Sequence, residues 1–290
     1  MNEQLFRIPL GDWTDRFVDW LTDSFDEFFD AVGMILSTIF DGLELALAEP
    51  PFWVIALVLT AVAFLAKGWR LALGSLVGFL VISGVDQWGA AMSTLALVIV
   101  ASIFAIGVGI PLGIWAARNN RVSTVLRPVL DFMQTMPAFV YLLPAVILFR
   151  VGVVPGIVAT IIFSMAPGVR FTELGIRQVD KEVVEAGHAF GATPRRILRQ
   201  VQLPLALPTI MAGINQVIML ALSMVVISGM VGAPGLGQPV VQSLQSVNIG
   251  LGVEAGLSVV ILAMYLDRVT AALGDRSPVA RALKLRAADA

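Results

Sequence analysis

The chain has 290 residues, of which 58% are hydrophobic and only 14% charged, and its mean hydropathy is +0.87. A water-soluble domain carries roughly a quarter charged residues, so there is too little polar surface here to coat a globule, and a polytopic membrane protein remains. The absence of cysteine excludes a disulfide scaffold, a thiolate metal site, a cysteine nucleophile and cysteine lipidation, and a single histidine leaves little for metal chemistry.

Residues 1–51 hold eleven acidic groups against Arg7 and Arg16, a balance of -9; since the whole chain carries -2, the other 239 residues carry +7. No basic start followed by an apolar run marks a cleavable signal. Instead Trp13, Phe17, Trp20, Leu21, Phe25 and Phe28 recur at helical spacing, with Asp12, Asp15, Asp19, Asp23, Asp26 and Asp30 on the other side. The spacing predicts an amphipathic helix. Helices on anionic inner-leaflet lipid carry a basic polar face, so this acidic one is expected on the external surface; a helix simply packed against a bundle is the plainer alternative.

Beyond Pro50 and Pro51, apolar stretches at about 52–66, 71–85, 89–117, 128–149, 151–169, 209–233 and 253–273 predict about seven spans. With the N-terminus outside, sixteen of the nineteen Lys and Arg fall on cytoplasmic segments and only Arg7, Arg16 and Arg150 stay outside, which favours an N-out, C-in topology. The expected organisation is an external segment over 1–51, a membrane domain over 52–274 with a cytoplasmic loop at about 170–208, and a cytoplasmic tail over 275–290.

The spans are nearly free of the buried Asp, Glu, His or Lys that relay protons; Asp131, Glu254 and Asp267 are placed near span ends. A sodium-driven carrier with helices broken at Pro111, Pro137, Pro144, Pro155 or Pro167 stays open. The spacings Gly74-xxx-Gly78, Gly109-xxx-Gly113 and Gly152-xxx-Gly156 allow close helix packing. A phosphate-cradling loop needs Gly-Lys, a dipeptide the chain lacks; Gly235-Leu236-Gly237 misses the third glycine of a dinucleotide fingerprint, and His188 has no nucleophile partner.

The loop at 170–208 has internal order. Asp180 can cap a helix with Glu182 in its first turn, Gly191 supplies a stop, and Thr193-Pro194 reads as the cap and first position of a second short helix carrying Arg195, Arg196 and Arg199. Ala186, Gly187 and Gly191 leave little side-chain bulk, so another protein's groove could close around the element.

At these residues the chain resembles a known family. Glu185-Ala186-Gly187-xxx-Gly191, nine residues, then Val201-x-Leu203-Pro204 is similar to the EAA loop of ABC importer permeases, E-A-A-xxx-G-x9-I-x-L-P, with Gly187 in place of the third alanine and Val201 in place of isoleucine. The segments Gln134–Pro144, Gly175–Val179, Leu220–Ile227, Gly235–Gly237 and Leu266–Arg268 resemble the glycine betaine/proline betaine branch, over about 90–274 in all. The resemblance implies an all-α, type I importer membrane domain in the bacterial cytoplasmic membrane, multi-pass and not itself an enzyme. It also implies a homodimer in the lipid bilayer, two cytoplasmic ATPase subunits that hold ATP and magnesium, and a separate extracytoplasmic solute-binding protein, with no cofactor on this chain and no nucleic acid. The loop would dock on the ATPase, with Glu185 and Gly191 serving docking and turn.

For a quaternary ammonium solute, aromatic faces supply cation–π attraction. Phe132, Phe139 and Tyr141 are candidates for lining the path, with Gln134, Asn215, Gln216 and Ser223 as uncharged polar positions. An ion-coupled carrier of small amines, and an importer permease for another small solute such as an amino acid, are the rival readings; a carrier would make the loop expendable.

Overall fold

The computed structural model describes residues 9–275, and every regular element among them is helical. Of the expected tail, only Asp275 lies within the described residues. Helix α1 (Leu10–Ala48) starts on the acidic stretch and bends at Phe25, whose φ of -129° and ψ of 24° leave the helical region. Along its first half Trp13, Phe17, Trp20, Phe25 and Phe28 are all exposed, an apolar row that the other described residues leave uncovered. Its second half buries Leu36 and Phe40 in a cluster with Ala96, Leu97, Val100, Ala101 and Ile157. The helix therefore runs well past the aromatic row at 13–28, and one 18-residue stretch of it is apolar enough to cross a membrane.

Helices α2 (Phe52–Lys67) and α3 (Trp69–Gly84) form a hairpin closed by Gly68 at φ 84°. Each has 16 residues, about 24 Å at 1.5 Å per residue, less than the roughly 30 Å of a bilayer's hydrocarbon core. Helix α4 (Trp88–Arg118) is 31 residues long and passes straight through Pro111.

The stretch expected as one span over 128–149 is two helices. Helix α5 (Asn120–Thr135) ends before Pro137, a 3₁₀ turn covers Ala138–Tyr141, and α6 (Leu142–Phe149) leaves at 106° to α5. Met136, forced to extended ψ 138° by the proline after it, is the breaking point. Helix α7 (Val153–Arg177) overruns the expected end at residue 169 by two turns. Arg170, Glu173 and Arg177 look like loop residues in sequence, but they share one helix face and find charged partners there.

The interval 170–208 is thus mostly helical: α7 ends at Arg177, α8 (Lys181–Ala189) and α9 (Pro194–Ile197) follow, and a π-helical turn over Leu198–Gln202 runs into α10 (Leu203–Ser223). The second short helix does not end before the membrane. Pro204 has no N–H to give to the preceding turn, and the wider π turn absorbs that missing bond without breaking the rod.

The expected span over 209–233 runs to Gly229, with only a turn at Met224 separating α10 from the next helix. Helix α11 (Val225–Gly229), a tight turn and α12 (Gly237–Gln245), which the hydropathy pattern does not announce, precede α13 (Ile249–Asp275). Here Gly235-Leu236-Gly237 finds a structural role. Gly235 sits at φ 126° against Thr94, whose hydroxyl accepts from the Leu236 N–H at 2.8 Å, and a Cβ on Gly237 would lie 2.1 Å from the Val225 carbonyl.

Helix α7 is clasped on two sides by glycines. A Cβ on Gly113 of α4 would lie 2.6 Å from the Val169 carbonyl, and a Cβ on Gly213 of α10 would lie 2.6 Å from Phe171 Cβ, while Gly175 meets Ala206. Gly109-xxx-Gly113 is the α4–α7 seam; in Gly74-xxx-Gly78 only Gly78 meets a neighbour, Ile261, and Gly152 lies outside any helix. These contacts run α4 parallel to α7 and bring the ends of α4, α7 and α13 together with the start of α10. Arg268 and Leu71 line one cavity, which places the α2–α3 turn at that same end. The described basic loops therefore gather at one end of the bundle, and Arg150, just before the start of α7, lies at the other.

Candidate functional site

The densest polar element at the basic end is the segment from α7 to α10. Asp180 Oδ1 accepts from the Glu182 N–H at 2.9 Å, the cap its position predicts, and α8 begins at the next residue. At the other end the Ala192 N–H reaches the Gly187 carbonyl at 3.1 Å and the Gly191 N–H reaches His188 at 2.9 Å. This bond pair is a Schellman motif whose left-handed position, φ 77°, is Gly191. A Cβ there would meet open space, so the demand for glycine is conformational.

Thr193 then begins α9 with its carbonyl accepting from Arg196 and Ile197, and Pro194 takes the first helical position. The two short helices close on each other where buried Ile197 lies against Gly187. A Cβ at 187 would sit 3.4 Å from Ile197 Cγ1, so the alanine usual in the resembled pattern would just fit.

This arrangement leaves Glu185, Ala186 and Gly191 exposed on the outer surface, and Phe190 at the tip is 92% exposed. Gly187, Val201 and Leu203 are half-buried beneath them, with Pro204 at the start of α10. All seven positions picked from the sequence thus belong to one continuous element, four of them on α8 or its turn and three in the π turn and the start of α10.

The element is rooted by residues that sequence reasoning passed over. Glu173 is buried; its Oε1 accepts from Ser123 Oγ at 2.7 Å and Arg127 at 3.2 Å and forms an ion pair with Arg177 Nε at 2.9 Å. Arg177 also donates to the Ala116 carbonyl at 2.9 Å, at the end of α4 where helix carbonyls lack partners. One turn further along, Asp131 pairs with Arg170. The sequence did contain a signal, since Ser123, Arg127 and Asp131 repeat every four residues and Arg170, Glu173 and Arg177 every three to four, two ladders of matching polarity.

The path-lining candidates separate into two groups. Phe132 and Phe139 are exposed and Gln134 and Tyr141 half-buried on α5 and the 3₁₀ turn, where the Tyr141 hydroxyl donates to the Met133 carbonyl at 2.7 Å. On α10, Gln216 and Ser223 are exposed. Both helices pack on α7. Asn215 instead faces α13, donating to Asp267 at 3.0 Å and accepting from Thr270. No cluster of metal-ligating side chains occurs among the described residues.

Comparison with known proteins matches this architecture. The family model for the binding-protein-dependent transport system inner membrane component covers residues 109–276. The chain is 50% identical over 268 residues to the glycine betaine transport system permease protein OpuAB of Bacillus subtilis (strain 168), covering 92% of this chain and 95% of that relative. It is 46% identical over 270 residues to the glycine betaine/proline betaine transport system permease protein ProW of Escherichia coli (strain K12), covering 93% and 76%. Its fold is similar to that of a chain of the MetNI methionine ABC transporter in inward-facing form, at a TM-score of 0.57 and 24% identity over 66% of this chain and 92% of that one. By its match to the family model over most of its length, and by these relatives, which are transport permease subunits, the chain belongs to the family of binding-protein-dependent transport system inner membrane components.

Proposed function

We propose that the chain is the translocating subunit of an ATP-driven importer for a quaternary-amine solute such as glycine betaine, proline betaine or choline. It works as a homodimer with two cytoplasmic ATPase subunits, which hold ATP and magnesium, and receives solute from a separate extracytoplasmic binding protein. The basic end faces the cytoplasm, in keeping with the preference of Lys and Arg for that side. The solute class is supported by the names of the relatives that align over nearly the whole chain.

The observation that carries this reading is the preformed element from Asp180 to Pro204, which presents Glu185, Ala186, Phe190 and Gly191 to a partner while both its ends continue into bundle helices. Helices α7 and α10 touch through Gly175 and Gly213, so force applied to the loop moves them as one body. ATP binding would draw two such loops together and open the paired bundles outward; hydrolysis would reset them. The exposed faces bearing Phe132, Phe139, Gln216 and Ser223 would border the path between the two copies.

The test is affinity purification with identification of co-purifying chains, then reconstitution into liposomes with the ATPase and binding protein. Expected are a bound ATPase subunit and ATP-dependent uptake of glycine betaine, with methionine inert. Uptake that follows an ion gradient without ATP would overturn the proposal.

A further inference from the structure

The polar lattice between α5 and α7 is not accounted for by docking or by path lining. Three side chains from two helices converge on one oxygen of Glu173, and one of them, Arg177, also holds the end of α4. Four residues beyond Arg177, the exposed α8 begins. In the other direction Ser123 and Arg127 belong to the helix that ends at Pro137 and carries Phe132 and Gln134.

Helix α5 is attached differently from α4 and α10. Those two meet α7 through glycines at backbone contact, a fit that leaves little room to slide. Helix α5 has a narrow apolar stripe, Leu126, Leu130 and Met133, packed near Ala166 and Val169, and beside it the charged lattice. At the 106° break it leads into the 3₁₀ turn, whose Tyr141 hydroxyl holds the Met133 carbonyl of α5. A carboxylate as buried as Glu173 cannot be left without partners, because its lost hydration must be replaced. When α7 moves, α5 must therefore follow it or Glu173 must exchange one arginine for another.

We propose that Glu173 is a positioning residue that couples the cytoplasmic loop to the path: it holds Ser123 and Arg127 of α5 to the root of α8, so that movement of the loop is delivered to the segment from Phe132 to Tyr141. The inference rests on the importer reading above and adds the internal route by which ATP energy reaches the solute path.

The experiment uses the full complex in liposomes and reads two quantities together, ATP hydrolysed and glycine betaine accumulated. Glu173→Gln is expected to keep ATP hydrolysis within about 2-fold of the parent while solute moved per ATP falls about 10-fold or more, within the usual span of site-to-site coupling. Glu173→Asp, which keeps the charge, restores most of the ratio. Arg127→Gln removes one of the two α5 contacts, leaving those of Ser123 and Arg177, and because that side chain is 65% exposed the fold does not depend on it; the ratio should fall about 3-fold or more. Should Glu173→Gln fail to assemble, Arg127→Gln and Ser123→Ala decide the matter. A ratio unchanged in every variant that assembles, or hydrolysis and uptake falling in parallel, would overturn the proposal, since a merely structural residue lowers both alike. Absence of ATP-driven uptake in the parent complex would instead overturn the importer reading.

Discussion

The two ends of the bundle are held by different chemistry. At the basic end the chain is organised by directional polar bonds: the Asp180 cap, the Gly191 Schellman turn, and the convergence of Ser123, Arg127 and Arg177 on Glu173. At the opposite end the tightest contacts are steric, alongside polar bonds from Ser93 to Glu44 and from the Leu236 N–H to Thr94. Gly237 lies against the Val225 carbonyl, Gly235 against Thr94, and Trp88 stacks edgewise on Phe52 and Phe79. Polar bonds can be exchanged for equivalent ones as helices shift, whereas backbone contacts at van der Waals distance have no second arrangement nearby. The difference suits an end that takes force and an end that resists it.

Substitutions can break this contrast, beginning with the close-packed end. Gly237→Leu places a side chain where even a Cβ would lie 2.1 Å from the Val225 carbonyl. It should cost about 3 kcal/mol or more, read as loss of folded protein on size-exclusion chromatography and a lowered melting temperature in detergent. Survival of that variant at parental stability would show that the far end is looser than its contacts indicate.

Gly191→Val should act the other way. A left-handed residue with a branched side chain costs about 1–2 kcal/mol locally, and the site faces open space, so the bundle should melt as the parent does while ATP-driven uptake is lost. The bulkier Gly191→Trp should do the same. Phe190→Asp, at the exposed tip, should leave melting unchanged and reduce the amount of ATPase subunit that co-purifies; full retention would place docking elsewhere on the loop. Asp180→Ala removes one capping bond, worth about 1 kcal/mol, and should lower uptake only modestly. Smallest in energy is Arg196→Cys in this cysteine-free chain. A membrane-impermeant thiol reagent should reach it only from the cytoplasmic side, and labelling from outside would invert the topology.

Much of the loop was legible in the sequence because its rules are local. A capping aspartate, a glycine that ends a helix and a threonine–proline that begins one each act within four residues of themselves. The aromatic spacing of residues 13–28 likewise predicted a helix, although not that it continues to Ala48. Long-range matters were hidden. Arg170, Glu173 and Arg177 argued for a loop until α5 and the end of α4 supplied partners, and hydropathy could not separate a straight span over 128–149 from two helices at 106°. Proline marks the place where a helix can break, but Pro111, Pro128 and Pro167 sit inside unbroken helices. Neighbours decide which prolines bend the chain.

Composition and pattern by themselves determined that this protein lives in a membrane, that its basic residues collect on one side, and where its exposed loop turns. Each of these depends on solvation or on bonds between near neighbours, quantities additive along a chain. Tertiary structure decided which apolar stretches are unbroken, where α7 ends, and that one buried carboxylate joins two helices while its arginine partner holds a third. Those outcomes turn on residues 46 to 61 positions apart meeting in space, where a charge that would otherwise demand water finds an arginine instead.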